Sequence, residues 1–509
     1  MNYKTIPLEQ YQEWFQDMEF KTTPFYHQYA SLSFALGERI NHVMFLHGIG
    51  TGKTLTALYL LQCWNPQQKT LIISPNSVIN TWIEQIEKHT DFSYIILNGA
   101  AQERIEKLNQ KVQLYIINYE GLRTIFAIKK GKHYIPDKDA IQKYGFEALI
   151  TDECHRFKDH TALQTKIARL ISQRVRYSVL MTGTPISRSA KDLFGQYQVL
   201  DNGHCLGNDN FTFMKTYFYK SPFEYDWQPK KVCHICGEMF IKKHDHLKKH
   251  NIGLKEYREK YGNDKTTEQL IMNLIEPITF QYTREECLDL PEQVYETRNI
   301  QLTAEQLGAM EKVLLGISLK ELTPKHIEYH THKILQIVSG FIMTGGEVVY
   351  TFPTNPKLDE LSELINEMEG KYIIYHQYIY ESVMIGELLK QKKIQYAMLN
   401  GEIQDKGKQI EQFINNDNCR CLVAHPKSGG EGLNLQCANT EIFFNNGFIG
   451  TILRNQSEGR IHRTGQKKNC LYIDLIAEGT VDEILYNSLK NNEDFVKNLL
   501  EYFHCRTKS

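Results

Sequence analysis

The chain runs to 509 residues, 41% hydrophobic and 23% charged, with Lys+Arg 59 against Asp+Glu 60 and a formal net charge of -1. That length implies about three domains, and the charge balance excludes a polycation, so any nucleic-acid contact must come from local basic faces. No apolar run approaches the ~18 residues of a membrane span, MNYKTIPLEQ does not read as a signal peptide, and the 11 scattered cysteines make no disulfide framework, which points to a reducing, intracellular compartment.

Apolar runs alternate with helical patterns through the first 200 residues: VMFLHG (43–48), TLIISP (70–75), LYIINY (114–119), ALITDE (148–153) and YSVLMTG (177–183). Each is apolar on both faces, as buried parallel strands are. The alternation predicts a parallel α/β sheet with its active loops at the carboxyl ends of the strands. From about 205 to 290 the chain turns polar, aromatic and lysine-rich, and 302–340 reads as helical. Alternation resumes with KYIIYH (371–376), QYAMLN (395–400), CRCLVAH (419–425), TEIFFN (440–445) and LYIDLI (471–476), a second α/β lobe; beyond Val481 the pattern is helical with a polar tail.

The first run leads into HGIGTGKT (47–54). Gly48, Gly50 and Gly52, with Thr51, let the backbone close around phosphates with its N–H groups inward at a helix start. Lys53 would neutralise β/γ-phosphate charge and the Thr54 hydroxyl would hold Mg²⁺. The strict motif has glycine where His47 stands. The fourth run ends in Asp152-Glu153-Cys154-His155, where Asp152 would hold Mg²⁺ through its water shell and Glu153 would orient or deprotonate an attacking water. Far along the chain, QSEGRIHRTGQ (456–466) carries Arg460 and Arg463, whose guanidinium donors suit the charge on a transferring phosphoryl group and share a face if the block is helical.

Cys233, Cys236, His246 and His250 read C-x2-C-x9-H-x3-H. Two thiolates and two imidazoles at such spacing suit tetrahedral Zn²⁺. His244 is an alternative to His246, and Phe240 and Leu247 would supply a mini-core. Lys242, Lys243, Lys248, Lys249, Lys255, Arg258 and Lys260 make the patch basic. It reads either as a grip on DNA phosphates or as a stapled insertion with a solvated face.

In their order, HGIGTGKT, DECH, TGTP (182–185) and QSEGRIHRTGQ resemble a superfamily-two helicase core. More narrowly they resemble the Swi/Snf family of DNA-translocating ATPases. ISPNSVINTW (73–82), INYEGL (117–122), ECHRFKD (153–159), SGGEGLNL (428–435) and GRIHRTGQ are similar to further blocks of that family, and the likeness spans about 20–490. The resemblance implies an α/β fold of two tandem RecA-like lobes with a zinc-finger and helical insertion between them. The boundaries are 1–205 for the ATP-binding lobe, 206–300 for the insertion with its finger at about 229–262, 301–350 for a helical connector, 351–490 for the C-terminal helicase lobe and 491–509 for a tail. It implies that Gln28 reads the adenine edge, that Gly432 lies in a block touching nucleotide and strand, that Gln456 opens the arginine block, and that Arg460 and Arg463 are arginine fingers. Three departures stand out: Cys154 for the usual alanine, expected to pack rather than react; His425-Pro426 for a hydroxyl pair; and Ile186-Ser187-Arg188-Ser189 after TGTP. The segment VCHICGEMFIKKHDHLKKHNIGLKEYREKYG resembles the Ros/MucR bacterial finger, which favours the cytoplasm of a bacterial or phage-infected cell, with a nucleus as the alternative.

The resemblance implies ATP, Mg²⁺ and Zn²⁺ as cofactors, double-stranded DNA as the partner and no membrane. An ATP-dependent duplex translocase is the leading expectation. A strand-separating DNA or RNA helicase shares the same blocks. A zinc-finger regulator with a vestigial ATPase is disfavoured by the intact Lys53, Asp152, Glu153, Arg460 and Arg463.

Overall fold

The computed structural model describes residues 2–65, 69–183, 189–220, 227–241, 246–252, 254–261, 265–287, 290–316, 323–428, 433–463, 465–491 and 495–506. The chain divides into two compact units, Met1–Cys287 and Leu288–Ser509.

After a short helix at Leu8–Trp14, unit 1 runs through α1 (Tyr26–Gly37), β1 (His42–His47), α2 (Lys53–Trp64), β2 (Thr70–Ser74), α3 (Ile79–His89), β3 (Tyr94–Ile96) and β4 (Leu114–Asn118). The short α4 (Gly121–Phe126) leads into a hairpin of β5 (Ala127–Lys130) and β6 (His133–Pro136). β7 (Ala148–Asp152), α5 (Leu163–Ser172), β8 (Tyr177–Thr182) and α6 (Leu193–Leu200) follow. A small sheet comes next, of β9 (Lys231–Val232), β10 (Met239–Phe240) and, after α7 (Leu254–Tyr261), β11 (Lys265–Thr266). The unit closes with α8 (Thr267–Ile275) and β12 (Thr279–Tyr282). Its main sheet has the order β12-β1-β8-β7-β2-β4-β3, with every neighbouring pair parallel. β2, β7 and β8 are buried along their whole length. Each face of the sheet carries its own apolar core, one under α5, α6 and α8, the other under α1, α2 and α3.

Unit 2 begins with β13 (Gln293–Ile300), α9 (Ala304–Leu315), α10 (Pro324–Val338) and α11 (Pro356–Glu367). It then alternates β14 (Lys371–Tyr375), α12 (Ile379–Gln391), β15 (Gln395–Leu399), β16 (Cys419–Ala424), β17 (Ala438–Phe443), α13 (Gly450–Glu458), β18 (Cys470–Ala477) and α14 (Val481–Asn491). Its parallel sheet has the order β13-β18-β17-β14-β16-β15. A fully buried ion pair, Lys357 Nζ to Asp482 Oδ2 at 2.7 Å, fastens α14 to α11.

The ten apolar runs read from sequence are strands, although the run at 440–445 begins two residues earlier, at Ala438. Two further main-sheet strands, β12 and β13, lie inside 206–300, the span expected to be an insertion. β12 is four residues long with alternating exposure, and β13 is an edge strand with alternating exposure, so neither shows the two-faced apolar run that marks a buried strand. α9 and α10, placed in a connector by the sequence, share one apolar cluster with α14 and so belong to the core of unit 2. Among the described residues no helix is long and apolar enough to cross a membrane.

Candidate functional site

The carboxyl rim of the unit 1 sheet gathers the first set of residues. β1, β8 and β7 lie side by side, so the loop after β1, Thr182 at the end of β8 and Asp152 at the end of β7 share one edge. The loop 48–52 is tightly backed by β12: Gly48 N donates to Tyr282 O at 2.9 Å and Arg284 Nε to Ile49 O at 3.1 Å. A Cβ on Gly48 would lie 2.7 Å from Arg284 N, which no side chain can do without moving that backbone. Gly50 and Gly52 adopt φ of 84° and 78°, the left-handed region glycine enters without a steric penalty. Thr51 Oγ1 donates to Gly48 O at 2.8 Å, and His27 Nε2 donates to Thr51 O at 2.7 Å.

Lys53 begins α2, and its Nζ lies 3.1 and 3.2 Å from His47 O and Gly48 O. The ammonium therefore sits over the loop, beside N–H groups at a helix start, where an anion is favoured. Thr54, half-buried, follows on α2. His47 replaces the motif's glycine at no expense of loop space. Its ring is fully buried against Phe45, Tyr282 and His27, and burial pushes its pKa well down, leaving it neutral. Gln28 is fully buried; its Oε1 accepts from Phe25 N at 2.8 Å and its Nε2 donates to Gly52 O at 3.3 Å. The amide expected to read an adenine edge here ties the start of α1 to the loop backbone.

The acidic pair diverges in environment. Asp152 is 5% exposed; its Oδ2 accepts from Trp82 Nε1 at 3.1 Å and its Oδ1 from Glu153 N at 3.0 Å, while Tyr119 donates to its carbonyl at 2.6 Å. Glu153 has φ +54, a strained conformation for a side chain of its kind, at about 1–3 kcal/mol. That turn brings its Oε2 to 3.0 Å from Thr182 Oγ1 and 3.1 Å from His155 Nδ1. Burial alone would raise the Glu153 carboxyl. Donation from His155, the Lys53 charge and the Thr182 hydroxyl outweigh it and hold the group below its ordinary range. Trp82, Tyr119, His155 and Thr182 lie in blocks quoted from the sequence, but nothing in a linear string gave them these contacts. Cys154 packs against Met44 and Gln196, fully buried, with its thiol pushed well up; it is unreactive filler, as its position suggested.

In unit 2, α13 ends at Glu458, so Arg460 and Arg463 lie in turns and do not share a helical face. Arg460 is 3% exposed, with Nη2 donating to Pro426 O at 2.7 Å and Nη1 to the Tyr375 hydroxyl at 3.3 Å. Arg463 is half-buried and donates to Leu433 O at 3.2 Å. Gln456 is buried in α13. A third arginine, missed in the sequence, is the most anchored: Arg454 bonds Glu458, Asp474 and Asn446 at 2.6–3.0 Å with its guanidinium 3.3 Å from the centre of the Phe443 ring. Gly432 lies outside the described residues, as do Thr184, Pro185, Ile186, Ser187 and Arg188.

The second constellation is the cysteine–histidine group. Cys233 N donates to Glu238 O and Gly237 N to Cys233 O, both at 2.9 Å, with Gly237 at φ +72. This knuckle between β9 and β10 carries both cysteines, Cys233 buried and Cys236 exposed. The donor atoms of Cys233, Cys236, His246 and His250 all lie within 4.8 Å of one another. Cys236 Sγ is 3.5 Å from His246 Nε2, and Cys233 Sγ is 3.6 Å from His250 Nε2. Tetrahedral zinc with bonds of ~2.3 Å to sulfur and ~2.0–2.1 Å to nitrogen separates those ligands by about 3.5 Å, so the donor set fits that ion. Cys233, Phe240, Leu247 and Tyr257 form the mini-core, and His246 stacks on Phe240. His244, Lys242 and Lys243 lie outside the described residues. The small sheet runs directly into α8, whose Ile271 and Ile275 are buried in the unit 1 core.

Comparison with known proteins bears on both units. The SNF2-related domain matches residues 27–340 and the helicase conserved C-terminal domain matches residues 356–465. The chain is 24% identical over 492 residues to protein p41 of Acyrthosiphon pisum secondary endosymbiont phage 1, covering 91% of this chain and 96% of that protein. It is 24% identical over 486 residues to the SWI/SNF-related matrix-associated actin-dependent regulator of chromatin subfamily A-like protein 1 of Drosophila melanogaster, covering 94% of this chain and 57% of that one. An uncharacterized ATP-dependent helicase of Mycoplasma genitalium is 22% identical over 469 residues, with 89% and 40% covered. The chain thus spans nearly all of the phage protein and about half or less of the other two. The solved Sulfolobus solfataricus SWI2/SNF2 ATPase core in complex with dsDNA aligns over 96% of each chain at 18% identity and a TM-score of 0.40. The SNF2-related match alone takes in more than half of the sequence, and the chain therefore belongs to the SNF2-related family: it is a helicase-like enzyme of the DNA-dependent ATPase class.

Proposed function

We propose that the chain is an ATP-driven translocase on double-stranded DNA. The observation that carries this reading is the shared rim of β1, β8 and β7, with Lys53, Thr182 and the Asp152–Glu153 pair on it. Gly48, Gly50, Thr51 and Gly52 cradle the phosphates by their backbone, and Lys53 offsets their charge. Thr54 and Asp152 would hold Mg²⁺, which would supply neutralisation of phosphate charge. Glu153, kept ionised by its neighbours, orients the water and accepts its proton. Arg463 supplies the guanidinium that acts on the charge of the transferring γ-phosphoryl group, and hydrolysis is tied to a change in the grip on DNA. Phosphate release measured against linear duplex, plasmid, single-stranded DNA and RNA tests the partner: duplex is expected to stimulate most. Displacement of a triplex-forming strand without separation of the duplex is the expected sign of translocation. Preferential stimulation by RNA, or unwinding of the duplex, rejects the reading in favour of a helicase.

The zinc module is the second element. Cys233, Cys236, His246 and His250 hold Zn²⁺ in a Ros/MucR-like finger, and the exposed Lys248, Lys249, Lys255 and Lys260 grip DNA phosphates. Cys233→Ser with Cys236→Ser is expected to lose one zinc per chain by elemental analysis and to weaken duplex binding, with a flatter dependence on salt. Full zinc content in that variant contradicts the ligand assignment, and unchanged salt dependence contradicts the grip.

A further inference from the structure

The hairpin of β5 and β6 lies on the surface of unit 1, with β6 alongside α5. Its strands pair antiparallel from Ala127 with Pro136 to Lys130 with His133, and they pair with no other strand among the described residues. Residues 128–135 are exposed on both faces, with Ile128 at 48%, Tyr134 at 46% and Ile135 at 36%. A lone two-stranded ribbon is marginal in water. This one is fixed at its base by Asp137 N on Phe126 O at 2.8 Å and by the Arg123 guanidinium 5.3 Å from the Tyr134 ring. The core gains little from it, so its exposed apolar and charged side chains call for another explanation.

Charge narrows what it meets. In a chain of formal net charge -1, residues 127–136 carry Lys129, Lys130, Lys132 and His133 and no acidic residue. Cross-strand partners share a face, so Lys130 lies with His133, and Lys129 lies with Tyr134 on the opposite side. Lys132 sits in the turn beside Gly131, φ +62. The ribbon thus offers cations to both sides and ahead. A DNA groove answers that pattern with two phosphate walls, and the ~12 Å major groove admits a two-stranded ribbon; an acidic protein surface or a bilayer offers one plane. The placement agrees: α4, which carries the hairpin, starts just beyond the carboxyl end of β4, on the same rim of the sheet as Lys53 and Glu153.

We infer that the 127–136 hairpin is a DNA-gripping ribbon that enters a duplex groove and holds phosphates through Lys129, Lys130 and Lys132. It rests on the duplex reading above and names a contact element within it. The test is a Lys129→Ala, Lys130→Ala, Lys132→Ala variant of the full chain, compared with the parent for binding to a 30-base-pair duplex over a range of salt, with the melting temperature as a check on folding. Each phosphate contact contributes about 0.9 to the slope of log affinity against log salt. The variant is expected to melt as the parent does, to bind at least ~10-fold more weakly near 0.1 M salt, and to have a slope flatter by about 2–3. A parent that binds duplex beside a variant with the same slope overturns the hairpin assignment alone. A parent that does not bind duplex overturns the translocase reading and the hairpin with it. Loss of binding to anionic phosphatidylglycerol vesicles with duplex binding intact overturns the assignment in favour of a membrane surface.

Discussion

Glu153→Gln is expected to bind ATP with nearly parental affinity and to hydrolyse it ~10²–10⁴-fold more slowly, the range for removing a positioned general base. The substitution keeps the side chain's shape and its reach to Thr182 and His155, so the turn at φ +54 has the same support. What it removes is the charge. Asp152 is no substitute, because it is committed to Mg²⁺ in the proposed mechanism and is held in place by Trp82 Nε1 and Glu153 N. The parent's pH profile carries a second sign of the same group. A carboxyl held below its ordinary range stays ionised further into acid, so the acid limb of kcat/KM attributable to Glu153 in the free enzyme lies below the usual Glu value near ~4.3. Steady-state phosphate release and equilibrium binding of a fluorescent ATP analogue separate the two effects. Turnover within a few-fold of the parent removes Glu153 from the reaction. Lost binding with proportionate loss of turnover makes it a structural support for the loop.

How much of this was legible in the sequence depended on the kind of signal each residue leaves. Strands buried on both faces announce themselves as apolar runs, which is why β2, β7 and β8 were visible and the three-residue β3 was not. β12 and β13 alternate because each is an edge strand, and a span read as insertion therefore held one outer strand of each sheet. At the site, glycine and lysine spacing fixed the loop and the acidic box fixed Asp152 and Glu153, since those chemistries are local in the chain. Hydrogen-bond direction is not local. Gln28 gives its amide to Phe25 and Gly52, and Glu153 is tuned by Thr182, twenty-nine positions on. The cysteine–histidine cluster was legible because each Cys or His pair is close in sequence, and the fold had only to bring two short pairs together.

Arg463→Ala is expected to lower kcat by about 10³-fold, the low end for an arginine finger, with little effect on the folding of unit 2. The two arginines of the block looked equivalent as a pair three positions apart, and their surroundings separate them. Arg460 is enclosed, its guanidinium joined to the Tyr375 hydroxyl and the Pro426 carbonyl. Reaching outward would strip two buried partners, a penalty of about 1–3 kcal/mol for each group left unsatisfied. Arg463 is only half-buried, so moving it off Leu433 O takes less of it out of a buried setting. Arg460→Ala is accordingly expected to show itself first as a lower melting temperature, since it takes a buried donor from the Tyr375 hydroxyl and from Pro426 O, whereas Arg463→Ala leaves melting in place and cuts kcat with KM for ATP little changed. Parallel thermal melts and duplex-stimulated kinetics on the two variants decide the matter. An Arg460→Ala protein that melts normally and loses turnover exchanges the roles of the two side chains. An Arg463→Ala protein that loses only ATP affinity makes Arg463 a ground-state binding group, because a side chain acting on the charge of the transferring phosphoryl group must appear in kcat.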